Sequence, residues 1–336
     1  MKLFHSMFGG RAKTRRRYPE SLIVTAIERA VDGTDSRLRL VPGYHKRLRA
    51  PVIHAIEHVA ALVDAIPAPL MVRRHAYSDE PRLAAVFASA EDMLDCLGRG
   101  ASLMDACASP THPAWVTALL LAERVDKNIL GMDLLDGRVQ REVAQVAVSF
   151  TGHRLLNPTT SEQKTRRQLK RRAFDHLLTL ASTRLTEVRL ERTDLVRQRD
   201  RLRRQLNTLE RGSWRGGQAA GTHPAPAALL AELKAISRQL DDLGVDDGVL
   251  RANLILVAAL LGEAERQLWC EHITLHLDPM NIQRDRQDPS ARPIVLHELH
   301  NARGRRVIPL LISFAPGELP PREDSTSAVP SGLTSS

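Results

Sequence analysis

From Ser161 onward, apolar residues recur alternately every four and every three positions. With Phe174 as a heptad d position, the ladder reads Phe174, Leu178, Ala181, Leu185, Val188, Arg192, Leu195, Arg199, Leu202, Leu206 and Leu209. A second ladder follows the same spacing through Leu229, Leu233, Ile236, Leu240, Leu243, Asp247, Leu250, Leu254, Val257, Leu261, Ala264 and Leu268. Sustained spacing of this kind keeps one seam of a helix facing a partner helix. Between the ladders, "RGSWRGGQAAGTHPAP" supplies the glycines and prolines that stop both. The pattern predicts an antiparallel coiled-coil hairpin over residues 161–268, with a Gly/Pro-rich tip at 211–226. In that register Leu206 meets Leu229, Leu202 meets Leu233, Leu195 meets Leu240, and Val188 meets Asp247, one layer from Arg192. "LGVDDG" is where the second arm would break.

Residues 19–160 show apolar runs separated by clear punctuation and are read as a compact helical domain. Pro19 and Glu20 mark the first turn of a helix through "ESLIVTAIERAV". "PVIHAIEHVAALVDAIPAP" predicts a helix that ends at Pro67, and "EPRLAAVFASAEDMLDCLGRG" predicts two short ones. "HPAWVTALLLAERVDKNILGM" is apolar around most of a helical circumference, which predicts a central helix. "RVQREVAQVAVSF" fits either a helix or a strand, its valines favouring strand. After Trp269 the period falls to two. "CEHITLHLD" and "RPIVLHELHNARGRRVIPLLISF" read as three strands of a small antiparallel β unit over residues 269–314, the last two joined at "NARG". Residues 1–18 read as a flexible basic arm and 315–336 as a disordered tail. The expected fold class is therefore mainly α: an N-terminal helical domain, an antiparallel coiled-coil hairpin and a small C-terminal antiparallel β unit.

Composition supports an aliphatic core, since 43% of the 336 residues are apolar and only 4% aromatic. The excess of arginine over lysine together with abundant alanine points to a GC-rich, bacterial source. Cys96, Cys107 and Cys270 form no CxxC pair, which fits reduced thiols in a cytoplasm. No window approaches the roughly 18 continuous apolar residues of a transmembrane span, and "MKLFHSMFGG" is too short for a secretory apolar region. The expected location is cytoplasmic. Net charge is +9, placed as +8 over residues 1–50, −4 over 51–161, +8 over 162–211 and −3 over the remainder.

Each basic block has its own reading. Arg15, Arg16 and Arg17 stand on the N-terminal arm, where they could touch phosphate, or anionic lipid beside Leu3, Phe4, Met7 and Phe8. In the block around "LVRQRDRLRRQLNTLERGSWRGG" the arginines are spread round the helix. Arg189 and Arg203 fall at e, Arg197 and Arg204 at f, Arg201 at c, and Arg192 and Arg199 in the seam. Glu187, Glu191, Asp194 and Asp200 are interleaved, and stacking aromatics are absent. That distribution favours a coiled coil over a stripe for nucleic acid. At the tip, Trp214 between Arg211 and Arg215 has the composition of a partner-binding anchor.

Two motifs carry candidate metal chemistry. "HAIEH" places His54 and His58 on one helix face with Glu57 between them, the inverted zincin pattern; it needs a third ligand, for which Glu123 and Glu142 are candidates. Cys270, His272 and His276 alternate along one face of a strand, with His297 on the next strand. Neither spacing specifies a metal, and no Gly-rich phosphate loop, nucleophile elbow or paired-carboxylate signature is present. The sequence thus predicts a cytosolic scaffold or adaptor that meets a protein partner, or itself, through the coiled coil. Non-specific nucleic-acid binding through the basic arm and helix is the alternative, a zinc-dependent hydrolase using "HAIEH" comes last, and no cofactor is expected.

Overall fold

In the computed structural model, Val116, Thr117, Ala118, Leu119 and Leu120 are buried in unbroken succession. This segment is a strand covered on both faces. The structure describes residues 18–75, 77–101, 114–135, 138–213, 226–243 and 248–319. Along the chain come helix α1 (Glu20–Asp32), a 3-10 turn (Ser36–Leu40), helix α2 (Tyr44–Asp64), strand β1 (Leu70–Val72), and helices α3 (Pro81–Val86) and α4 (Ala90–Ala101). Strands β2 (Val116–Leu135) and β3 (Arg138–Thr159) follow, then helices α5 (Glu162–Ser213), α6 (Pro226–Asp242), α7 (Val249–Gly262) and α8 (Ala264–Gln267). Strands β4 (Leu268–Leu277), β5 (Arg292–Asn301) and β6 (Arg306–Phe314) complete the order.

The mainly helical expectation is overturned. A six-stranded sheet runs β3-β2-β6-β5-β4, with β1 added to β6 in parallel, and its two longest strands come from the stretch read as helical. The misreading has a physical cause. A strand buried on both faces shows a continuous apolar run rather than alternation, and such a run also fits the circumference of a buried helix. Two compact units result: Met1–His58 with Ala173–Gln267, and Val59–Arg172 with Leu268–Ser336.

In the sheet-bearing unit, Val116, Ala118, Leu120 and Ala122 pack on one side with Leu83, Val86, Met93 and Leu97 of α3 and α4. On the other side Leu119 and Leu311 pack with Val63 of α2 and Leu169 of α5. Arg166 fixes that second layer by donating to the carbonyls of Val63 at 2.7 Å and Ile66 at 3.0 Å. These carbonyls lie at the α2 C-terminus, where helical partners run out. Thr165 Oγ1 donates to the Thr117 carbonyl at 2.8 Å, which ties α5 to β2.

The β2–β3 hairpin slips register between Thr117 and Leu119, between Leu121 and Glu123, and between Gly131 and Met132. Each slip leaves one extra residue on β3, and each stretch contains one left-handed residue: Asn157 (φ 51°), Gly152 (φ 62°) and Glu142 (φ 60°). Such bulges add right-handed twist. Asparagine and glycine suit that conformation, whereas glutamate meets a Cβ clash.

In the helical unit, Phe174, Leu178, Ala181 and Leu185 of α5 are buried, as are Ile23, Ile27, Ala30 and Val31 of α1. A Cβ at Gly33 would lie 3.0 Å from Leu178 Cδ1, so the chain after α1 meets α5 closely enough that a larger residue would have to displace the leucine side chain. Arg29 reinforces this contact, its Nη2 donating to Asp175 Oδ2 at 2.5 Å. Farther along, Leu202, Leu229, Ile236 and Leu240 form a buried cluster with Leu195, Leu209 and Leu233 beside it, so these rungs of the two ladders meet. The second ladder is interrupted: α6 ends at Asp242, α7 begins at Val249, and Leu268 opens strand β4. The expected Val188–Asp247 layer lies outside the described residues.

Asp35 joins the 3-10 turn to α5 through its buried carboxylate. It accepts from Arg37 Nε and Nη2 at 3.1 Å each, and from Arg189. Burial would raise its pKa, but the Arg37 side-chain and backbone hydrogen bonds and the Arg189 and Arg37 charges outweigh that and hold it below 3.8. A depressed carboxyl stabilises the fold fully above the unfolded value, and that contribution fades as pH falls through the folded value. The thermal midpoint is therefore expected to drop steeply below about pH 4, with Asp35→Asn narrowing its gap to the parent protein over the same range. A gap constant with pH would contradict this linkage. At the third bulge, Glu142→Gly relieves a left-handed penalty of about 1–2 kcal/mol against a glycine entropy cost of about 0.5–1 kcal/mol. Urea unfolding should show a net gain near ~0.5–1 kcal/mol, and Gly152→Ala should move the opposite way.

Candidate functional site

Strands β4 and β5 pair without a slip from Leu268↔Asn301 to Leu277↔Arg292. Directly paired residues share a face, so the ladder sorts its side chains into two sets. The inner set begins with Leu275↔Ile294 and Ile273↔Leu296, part of the aliphatic core. It then turns polar at Glu271↔Glu298 and Trp269↔His300. The outer set contains Cys270↔Leu299, His272↔His297 and Thr274↔Val295.

Glu298 is 3% exposed. Its Oε1 lies 3.5 Å from Arg124 Nη1 and its Oε2 3.1 Å from His300 Nε2. These are ion-pair separations, yet Glu298 Oε1 and His300 Nε2 both lack a hydrogen bond of good geometry. The His300 ring stacks on Trp269 at 5.4 Å, and Trp269 Nε1 donates to Glu271 Oε1 at 2.9 Å. Arg124 also meets Asp126 at 3.1 Å. The result is a buried acid held by one arginine and one histidine at the end of an apolar core. Sequence reading missed it, although the row Ile294, Leu296, Glu298 signals a charge on a core-facing strand position.

On the outer face, Cys270 Sγ lies 3.9 Å from His297 Nδ1, and the His272 and His297 rings meet edge to face at 4.2 Å. Burial, followed by the charges of Glu271 and Glu298, pushes the Cys270 thiol up. Burial and the neighbouring His272 and Arg82 push His297 down. Both shifts favour the uncharged partners, the reverse of the thiolate–imidazolium pair of a nucleophilic cysteine. The alternation along β4 places Cys270 and His272 together as expected. His276, opposite Pro293, stands apart from them.

"HAIEH" lies within α2. His54 Nε2 bonds Glu265 Oε2 of α8 at 2.8 Å. The Glu265 carboxyl is lowered first by this bond, then by its own backbone N–H and by the charges of His54 and His58. Glu265, distant in sequence, is thus the acid that meets this motif. Of the expected third ligands, Glu123 holds Arg305 at 2.6 Å and Arg154 at 3.1 Å, and Glu142 occupies the third bulge. Glu57 is half-buried on the same helix. Among the described residues, no three His, Cys, Asp or Glu side chains converge as a metal cluster.

Of the expected partner-binding residues, Arg211 is exposed in the last turn of α5, while Trp214 and Arg215 lie outside the described residues, as do Arg15, Arg16 and Arg17. Of the seam arginines, Arg192 is half-buried and Arg199 pairs with Asp200 at 3.2 Å. No described helix is long and apolar enough to cross a membrane. No family model, curated protein or solved structure matches this chain.

The Glu298 cluster generates a double-mutant prediction. Removing one partner of a buried ion pair strands the other, at a cost of about 3–5 kcal/mol, whereas apolar replacement of both is often neutral. Arg124→Met alone should lose about 3 kcal/mol in urea unfolding, and adding Glu298→Met should recover most of it. Additive losses would show that the two charges are not coupled.

Proposed function

We propose that the chain is a protein-interaction module whose binding element is the outer part of the β2–β3 hairpin. One observation carries this reading: among the described residues, no other strand pairs with β2 beyond Ala122, although the hairpin continues to Leu135↔Arg138. This two-stranded arm exposes Leu130 at 73%, Met132 at 64% and Val139 at 66%. Exposed apolar side chains beside unpaired backbone donors and acceptors favour recognition of an extended segment by strand addition. The bulges all fall on β3, so the open edge of β2 offers the smoother template. This reading keeps the scaffold or adaptor role expected from the sequence and moves its contact from the helical ladders to the arm. The partner is another protein or a second copy of the chain.

A second reading, contact with a polyanion, is favoured by Lys164, Arg167 and Arg171. They stand at i, i+3 and i+7 of α5 and are all exposed. Such a stripe suits non-specific phosphate contact, which weakens steeply with salt.

Leu130→Lys combined with Met132→Lys tests the first reading, because both side chains are solvent-facing and the core is untouched. The thermal midpoint should stay within about 1 kcal/mol of the parent in free-energy terms. Concentration-dependent self-association in sedimentation, or capture of partners from the native host, should be lost. Unchanged association would count against the arm. Retention on heparin or DNA that is abolished by Lys164→Glu with Arg167→Glu, and is unaffected by the arm variant, would favour the second reading instead.

A further inference from the structure

We propose that Cys270, His272 and His297 form a binding site for a divalent transition metal of the zinc class on the outer face of the β4–β5 ladder. The strand period places Cys270 and His272 on one face, two residues apart, and the register puts His297 directly opposite His272. One thiol and two imidazoles make a borderline-soft donor set that suits zinc, cobalt or nickel rather than magnesium or calcium.

Metal–sulfur and metal–nitrogen bonds of about 2.3 and 2.05 Å at a tetrahedral angle set the two donors roughly 3.5 Å apart. Cys270 Sγ and His297 Nδ1 already stand 3.9 Å apart. Closing that gap takes a side-chain adjustment of a few tenths of an ångström. The His272 and His297 rings meet edge to face with centroids 4.2 Å apart, and His272 is exposed, so a rotation that brings a ring nitrogen toward the same point moves through solvent rather than core. That turn is the step separating the present arrangement from a three-donor site. With three protein ligands the fourth position is left to water, as in open zinc sites. Electron pairs come from the thiolate sulfur and two unprotonated ring nitrogens. The thiol proton passes to solvent, so each metal bound releases one proton without any redox change.

Cobalt(II) is the probe, titrated into the metal-stripped full-length chain. One equivalent is expected to bind, with a thiolate-to-cobalt charge-transfer band in the near ultraviolet and visible bands of four-coordinate intensity. An indicator should report one proton released. Zinc should bleach the spectrum by displacement. Cys270→Ser should abolish the charge-transfer band, while Cys96→Ser and Cys107→Ser leave it intact. His272→Ala removes an exposed side chain outside the aliphatic core, and should weaken binding by at least about tenfold while the thermal midpoint stays near that of the parent. His54→Ala should change nothing. Absence of cobalt uptake would overturn the site, as would a charge-transfer band that survives Cys270→Ser or an affinity indifferent to His272→Ala.

Discussion

The sheet-bearing unit depends on how strand β6 satisfies its backbone. From Val307 to Phe314 every residue of β6 is buried, so its amides and carbonyls have no recourse to water. A buried backbone group without a partner costs about 1–3 kcal/mol, and a buried strand must therefore be paired along both edges. On one edge β2 runs opposite from Ala122↔Ile308 to Val116↔Phe314. On the other, β5 pairs only through Leu299↔Val307 and His300↔Arg306, and β1 takes over from Ile312 to Phe314. The three-residue parallel strand covers the last part, Ile312 to Phe314, of the length that β5 leaves open. Pro309 stands in the interval between those two partners. A proline lacks the donor that a ladder position would require, so it is tolerated where a partner is missing.

The same pairing limits give the β2–β3 hairpin its two-part character. Its base is the buried centre of the sheet. Beyond Ala122 the only described strand that pairs with β2 is β3, and the β2 side chains are exposed from Asp126 to Leu130, whereas β3 is still held at Ala147 by a bridge to Ile282. A long ribbon must twist, and here the twist is concentrated at three bulges that all insert their extra residue on β3. That asymmetry makes the two edges unequal, because a bulged edge resists pairing and a regular edge invites it. The bulge near the sheet uses Gly152 and the outermost uses Glu142, so the residue least suited to a left-handed conformation occurs on the exposed part of the ribbon.

The sequence shows some of these features openly and conceals others for definable reasons. The first ladder is legible because Phe174, Leu178, Ala181 and Leu185 keep a helical period and are buried at that period. The strands β4, β5 and β6 are legible from alternation or turn chemistry at "NARG". Strand β2 is not, since coverage on both faces erases the alternation that would mark it. The second ladder continues numerically through Asp247 to Leu268, but spacing alone does not register that α6 ends at Asp242 and α7 begins at Val249, or that Leu268 already belongs to a strand. The contact between His54 and Glu265 spans 211 residues, and only the packed fold supplies it.

The chemistry on the outer face of β4–β5 is a consequence of packing on the inner face. What aligns His272 with His297 is the demand that Ile273 meet Leu296 and Leu275 meet Ile294 within the aliphatic core. A slip of one residue between the strands would turn these apolar pairs outward and bring the thiol and imidazoles inward, reversing every side chain at once. The cost of exposing four large aliphatic groups, about 1.5–3 kcal/mol for each one fully buried, fixes the register far more strongly than any contact among the outer donors. Cys270, His272 and His297 therefore hold their positions without contributing much to stability themselves. A donor set placed by its neighbours can bind or release a ligand while the strands that carry it stay paired.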